Sequence, residues 1–238
     1  MSGPRYLEIL EHLRKRCSSL AVGTRLSSER ALAAEFDVSA MTVRQSLALL
    51  VKEGWIQRSP GSGTYVSRPR VTMGPTLTSF TEDMRRLGFI PWSKVLRFHT
   101  VKPDIDTVSR FGLRPSEQAV IVERLRYADG EPMCHEISVF PGRQWDILSR
   151  ADLTGSIHEA LAMSGTILCS TVRSVRAVVA PEHECDLLQL PTNSPALEIS
   201  DTFSDALGQA IQHVRSRYRF DRYEVISKIE RLASTGLG

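Results

Sequence analysis

Residues 27–66 read "SSERALAAEFDVSAMTVRQSLALLVKEGWIQRSPGSGTYV", and the punctuation of this stretch restricts the fold more than any other feature. Ser27 and Ser28 are both good N-cap residues, so a helix begins there and buries Leu32, Ala33 and Phe36. "DVS" is a tight turn, and the hydroxyl of Ser39 caps the next helix. That helix stops at Gly54, the residue best suited to the left-handed position after a helix. "WIQR" and "TYV" then flank "SPGSG", two short strands about a Pro/Gly turn. Upstream, Tyr6, Ile9, Leu10, Leu13 and Cys17 recur at helical spacing after Pro4, which predicts a first helix.

Helix, helix, short turn, helix, β-hairpin is the order of a winged helix-turn-helix, in which the third helix enters the major groove. The residues of that helix fit the role. Val43, Leu47, Leu50 and Val51 form the packing face, whereas Ala40, Met41, Arg44, Gln45 and Ala48 form a face with a single full charge. Small residues permit close approach, Arg44 can bond guanine bidentately and Gln45 can pair with adenine. Gly61 and Gly63 would let the wing backbone approach phosphate or the minor groove. Taken singly, Arg44 reads equally well as a solvated arginine, Ser39 and Thr42 as caps and "GSG" as a plain turn. The ordered set favours DNA. Charge agrees: residues 1–70 hold 11 Lys and Arg against 6 Asp and Glu, and the remainder holds 19 against 21. The basic third is the part expected to meet a polyanion.

With its "SER", "MTVRQ" and "GSGT" anchors, the segment from Leu26 to Val66 resembles the N-terminal domain of GntR-type bacterial transcription regulators. That resemblance implies double-stranded operator DNA as the partner, with contacts from Arg30, Ser39, Thr42, Arg44 and Gly61. The chain departs from the family pattern at Ala40, where Arg or another polar residue is usual, and at Ser27, where Pro is usual.

The remaining residues bound the molecule. At 238 residues, 42% of them hydrophobic and 24% charged, the chain is long enough for two small domains. It has neither an apolar run of membrane-spanning length nor a signal-peptide pattern, which predicts a cytoplasmic protein without membrane association. Cys17, Cys134, Cys169 and Cys185 are scattered and read as reduced, buried thiols. "VSRPRVTMGPT" carries two prolines and a glycine without periodicity. The expected domains are a winged helix-turn-helix over 1–68, a linker over 69–76 and a larger domain over 77–238. Ser79 and Glu82 make a capping-box pattern. "AVIVERLRYADGEPMCHEISVF" predicts two strands joined at Asp129-Gly130. Further strands fit 93–101, 167–179, 195–204 and 209–220, and short helices fit 104–111, 156–163 and 181–189. The fold class is therefore α+β, the larger domain an antiparallel sheet with flanking helices.

"ERLRYADGEP", "HEISVF", "TGSIHEAL" and "YRFDRYEV" make this larger part resemble the ligand-sensing UTRA domain of the HutC subfamily of GntR regulators, whose fold is like that of chorismate lyase. Arg124 and Arg126 stand two apart on a strand and so share a face, where two guanidiniums repel unless an anion lies between them. Thr81 and Ser156 lie where helices begin, and helix N-termini favour anions. The resemblance implies that the amides of Phe80 and Thr81, together with Arg124, Arg126, Ser156 and His158, hold a phosphate. It further implies that Glu136, Gln212 and Tyr218 hold the rest of the effector. Tyr is common at the position of His158, and sugar-phosphate sensors carry Glu at that of Gln212. The competing reading is that Arg124 pairs with a neighbouring carboxylate of the protein itself. "CHE" at 134–136, "HEC" at 183–185 and His213 match no standard zinc spacing, so neither a metal nor a cofactor is expected. The resulting expectation is a DNA-binding regulator, a homodimeric repressor whose operator binding answers to a small anionic metabolite such as a sugar phosphate. The alternative is an enzyme of chorismate lyase-like fold with an accessory DNA-binding domain, and the chain lacks the common hydrolase, metalloprotease and phosphate-loop motifs.

Overall fold

The computed structural model describes residues 4–59, 61–74 and 76–229; Pro60 of the wing turn and Pro75 of the expected linker lie outside the described residues. The chain divides into two compact units, Met1–Arg70 and Val71–Gly238.

In the first unit α1 (Arg5–Ser19), α2 (Glu29–Glu35) and α3 (Ala40–Lys52) precede an antiparallel hairpin of β1 (Ile56–Ser59) and β2 (Gly63–Val66). Ser28 caps α2 by accepting from the Ala31 amide, and Ser39 caps α3 by accepting from Thr42. Between them Asp37 adopts φ 51°, the left-handed turn that reverses the chain in three residues. Gly54 closes α3 at φ 80°. The core is Ile9, Leu10, Leu13, Cys17, Leu26, Leu32, Val43, Leu47, Leu50, Ile56 and Val66, with Ala33 and Phe36 partly buried against it. One residue of the expected packing face of α3 does not belong there. Val51 is 39% exposed, and Ser46 is buried in its stead, donating to the Tyr6 carbonyl on α1 at 2.8 Å. Positions 43, 46, 47 and 50 form one helical stripe, and residue 51 lies a further 100° round from Leu50.

The second unit opens with β3 (Val71–Met73), which pairs in parallel with β10 (Tyr223–Val225). The expected linker is therefore shorter than 69–76: Val71 and Met73 are buried in the core of the larger unit. Apolar residues on alternate positions make a short strand wherever a partner strand is to hand, and that partner lies some 150 residues away. Helix α4 (Phe80–Arg86) carries the capping box of Ser79 and Glu82. Then come β4 (Pro91–Val101), α5 (Ile105–Phe111), β5 (Ala119–Ala128), β6 (Glu131–Pro141), a 3₁₀ turn at Gly142–Gln144, α6 (Trp145–Arg150), α7 (Ile157–Met163), β7 (Ser170–Val179), α8 (Glu182–Leu188), β8 (Pro195–Ser204) and β9 (Ala210–Arg219). Strands β4 to β9 form a six-stranded sheet in the order β4-β5-β6-β9-β8-β7, with every neighbour antiparallel. Asp129 and Gly130 both take positive φ, which two-residue hairpin turns require. The α+β class holds. The α6 segment and the β3–β10 ribbon were not legible as elements. Cys17, Cys134 and Cys185 are buried free thiols, but Cys169 is exposed, since it leads into β7 at the edge of the sheet.

The two faces of the sheet carry different chemistry. One holds Arg124, Arg126 and Glu136 beneath α4 and α7. The other holds His135 and Arg217 beneath α8, whose Glu184 bonds both.

Candidate functional site

The exposed face of α3 consists of Ala40, Met41, Arg44, Gln45 and Ala48, with Met41 at 67% exposure. Arg44 is not a loose solvated arginine: its Nε donates to Glu29 Oε2 at 3.1 Å. The second oxygen of Glu29 accepts from Arg58 of the hairpin at 3.0 Å. One carboxylate in the first turn of α2 thus orients a cation of α3 and a cation of the wing on the same surface. Sequence reasoning did not assign Glu29, although it is the central residue of "SER". Arg30 is exposed and makes no ion pair among the described residues. The Ser39 hydroxyl is engaged locally, by the Thr42 amide at 3.2 Å and the Thr42 hydroxyl at 2.9 Å, so both residues shape the start of α3. Gly61 sits exposed in the wing turn at φ 73°. At Gly63 an added Cβ would lie 2.9 Å from Arg25 Nε, so that side chain would have to shift aside.

The second site is a narrow cavity between the sheet of the larger unit and the starts of α4 and α7. Its volume is about 40 Å³. Phe80, Arg124, Arg126, Glu136, Ser156, His158, Gln212 and Tyr218, eight of the nine residues expected to hold an effector, line it. The ninth, Thr81, is buried and accepts from Arg126 Nη2 at 3.1 Å. Met73, Arg173, Asp201, Phe203 and Ser216 also line the cavity and were not foreseen, because their presence depends on strand order.

The carboxylate between the two arginines belongs to the protein. Glu136 Oε1 accepts from Arg124 Nε at 3.0 Å and also from Arg124 Nη2, and its Oε2 accepts from Arg126 Nη1 at 2.8 Å. Arg124 reaches further, to the carbonyls of Leu153 and Gly155 at 3.2 and 3.1 Å. Arg126 lies over the Phe80 ring at 4.5 Å, and its Nε is buried without a hydrogen-bond partner. Burial opposes ionisation of Glu136, but the charges of Arg124 and Arg126 outweigh it and hold its pKa at about 2. Burial and then Arg126 lower Arg124 to about 10, still charged at neutral pH. Arg173 and Asp201 form a bidentate pair at 2.8 and 2.9 Å and cancel. Counting these five groups leaves one uncompensated positive charge.

A hydrogen-bond chain runs along the cavity wall. Ser138 Oγ donates weakly to Glu136 Oε1 at 3.4 Å, Gln212 Nε2 donates to Ser138 Oγ at 2.9 Å, and His158 Nε2 meets Gln212 Oε1 at 2.8 Å. Burial keeps the His158 pKa below its ordinary value despite the bond to Gln212. The Ser156 hydroxyl caps α7 by accepting from the Glu159 amide at 3.2 Å. Burial raises the Tyr218 phenol, which stays neutral.

On the far face His135, from "CHE", and Glu184, from "HEC", do come together, as an ion pair at 3.2 Å. Among the described residues no helix is long and apolar enough to cross a membrane.

Comparison with known proteins gives a consistent picture. The family described as bacterial regulatory proteins, gntR family, matches residues 5–66, and the UTRA domain matches residues 86–224. The transcriptional repressor NagR of Bacillus subtilis is 31% identical, over 97% of this chain and 96% of its own. The mannosyl-D-glycerate transport/metabolism system repressor MngR of Escherichia coli is 26% identical, over 97% and 98%. The crystal structure of PhnF from Mycobacterium smegmatis superposes with a TM-score of 0.76 at 23% identity, covering 93% of this chain and 99% of that one, and so shares the fold.

Proposed function

Because the chain belongs to the gntR family of bacterial regulators and carries a UTRA domain, it is a DNA-binding transcriptional regulator and not an enzyme, and we propose that a small anion bound in the sheet cavity controls its hold on operator DNA. The observation that carries the proposal is the excess positive charge in a buried cavity. Glu136 neutralises one of two arginines, and Arg126 keeps a buried N–H without an acceptor. The relative MngR is the repressor of a transport and metabolism system for mannosyl-D-glycerate, itself a carboxylate.

On this reading Arg30, Arg44, Gln45 and the wing about Gly61 meet DNA, with Ser39 and Thr42 setting the first turn of the recognition helix. The winged helix-turn-helix ends near 68 and the effector domain begins at the third strand. The protein acts in the cytoplasm as a homodimer, since paired winged helices match a two-fold operator. The effector releases DNA to the extent that it binds the DNA-free arrangement more tightly.

The test uses a duplex selected from random-sequence DNA by the wild-type chain. Arg44→Ala should weaken binding to that duplex by about 1–3 kcal/mol, roughly 5- to 150-fold, and leave anion-dependent thermal stabilisation unchanged. Arg126→Ala should keep the DNA affinity and lose the anion response. Unchanged operator affinity in Arg44→Ala would end the groove assignment.

A further inference from the structure

His158 was expected to grip a phosphate as a donor, the role of the Tyr common at that position, but the chain of bonds behind it dictates a different polarity. Glu136 is ionised between two arginines and can only accept. Ser138 Oγ donates to Glu136 at 3.4 Å and accepts from its other neighbour, Gln212 Nε2, at 2.9 Å. That orients the Gln212 amide: NH₂ to Ser138, carbonyl to His158 at 2.8 Å. A carbonyl only accepts, so His158 Nε2 carries the hydrogen. In a neutral imidazole Nδ1 then holds a bare lone pair. Among the described residues Nδ1 makes no hydrogen bond. The ring itself lines the cavity, packed edge-on against Phe203 at 4.8 Å.

We propose that His158 is a specificity residue presenting Nδ1 as an acceptor, so that the cavity selects an anion bringing its own hydrogen-bond donor, and that Gln212 is the positioning residue that fixes this polarity. The chemical class is a protonated oxyanion, or an anion with a hydroxyl beside its charged group. An oxyanion with lone pairs alone would face lone pair against lone pair at His158. The inference rests on the anion-cavity reading above and narrows it.

Inorganic phosphate and sulfate separate the two. Near neutral pH phosphate retains an O–H, whereas sulfate only accepts. Titrated against the full chain by calorimetry, phosphate should bind at least about tenfold more tightly than sulfate, since a site built for a donor rejects an analogue lacking it. In Gln212→Glu the new carboxylate charges His158, Nδ1 gains a hydrogen, and the preference should shrink to within about threefold. Where that variant does not fold, ¹⁵N spectra of the wild-type imidazoles decide, with the His158 signals identified by their loss in His158→Phe. A bare Nδ1 with protonated Nε2 supports the proposal, and a protonated Nδ1 overturns it. Equal binding of both anions to the wild type, abolished in Arg126→Met, overturns the His158 inference and leaves the cavity reading standing. Absence of binding by either anion, or binding indifferent to Arg126→Met, overturns both.

Discussion

Glu136 is the residue on which the cavity turns, since it serves at once as counter-ion to two guanidiniums and as the fixed end of the Ser138–Gln212–His158 chain. Removing one partner of a buried ion pair costs about 3–5 kcal/mol because the other charge is left uncompensated. Glu136→Ala should lower unfolding stability in urea by that order. Added phosphate should restore more stability to this variant than it gives the wild type, the anion taking the place of the missing carboxylate. The pH dependence has a definite sign. The Glu136 pKa is depressed from 4.5 to about 2, so its contribution is present above the unfolded value and disappears as pH falls from about 4.5 through about 2. Acid titration of wild type against Glu136→Gln by circular dichroism checks that window. Arg124 and Arg126 were legible in the sequence as a same-face pair because side chains alternate along a strand. Their partner was not, because a carboxylate ten or twelve residues on is equally able to face the opposite side. Arg173 and Asp201 were not legible at all, being brought to the cavity by the β7–β8 register.

A single irregularity in the β5–β6 hairpin decides which face each residue takes. Near the turn Tyr127 opposes Pro132, but the register then shifts, so that Arg126 opposes Cys134 and Arg124 opposes Glu136. Met133 is the extra residue of this bulge. Were Met133 to pair in the register set near the turn, Arg124 would oppose His135, and every side chain of β6 beyond it would change sides. Deleting Met133 removes the bulge yet leaves Arg126 opposite Cys134 and Arg124 opposite Glu136, so thermal stabilisation by phosphate should survive the deletion. On the other face His135 is clasped by Glu123 at 2.9 Å and by Glu184 of α8 at 3.2 Å. Burial opposes its charge, but bonds to Glu184 and Glu123 prevail and raise its pKa above 6.5. A raised histidine stabilises fully below the unfolded value and loses that contribution as pH rises through the folded one. Wild-type stability should therefore fall relative to His135→Gln on going from about pH 6.5 upward, with a slope of at most about 1.4 kcal/mol per pH unit. Urea midpoints taken along that range measure it.

For the molecule as a whole, a regulator that answers to an anion must obey reciprocity. If phosphate or another effector weakens operator affinity by some factor, saturating operator must weaken effector affinity by the same factor. Calorimetric titration of the effector with and without the selected duplex tests this, and unequal factors would exclude simple two-site coupling. Operator affinity should also fall steeply with salt, since Arg25, Arg44 and Arg58 cluster about Glu29 beside the wing. Sequence alone determined the kind and order of the main elements in both units, because caps, turn residues and apolar periods of 3.6 or 2 act within a few neighbours: Ser28, Ser39, Gly54 and Asp129-Gly130 each do locally what their chemistry requires. It also determined the membership of the family and eight residues of the cavity lining. Tertiary structure alone decided that Val71–Met73 is a strand and not a linker, that Glu29 ties Arg44 to the wing, and that Glu136 meets the arginines while His135 turns away. Those outcomes depend on which distant segment supplies the partner and on a one-residue shift in register, and no local preference encodes either.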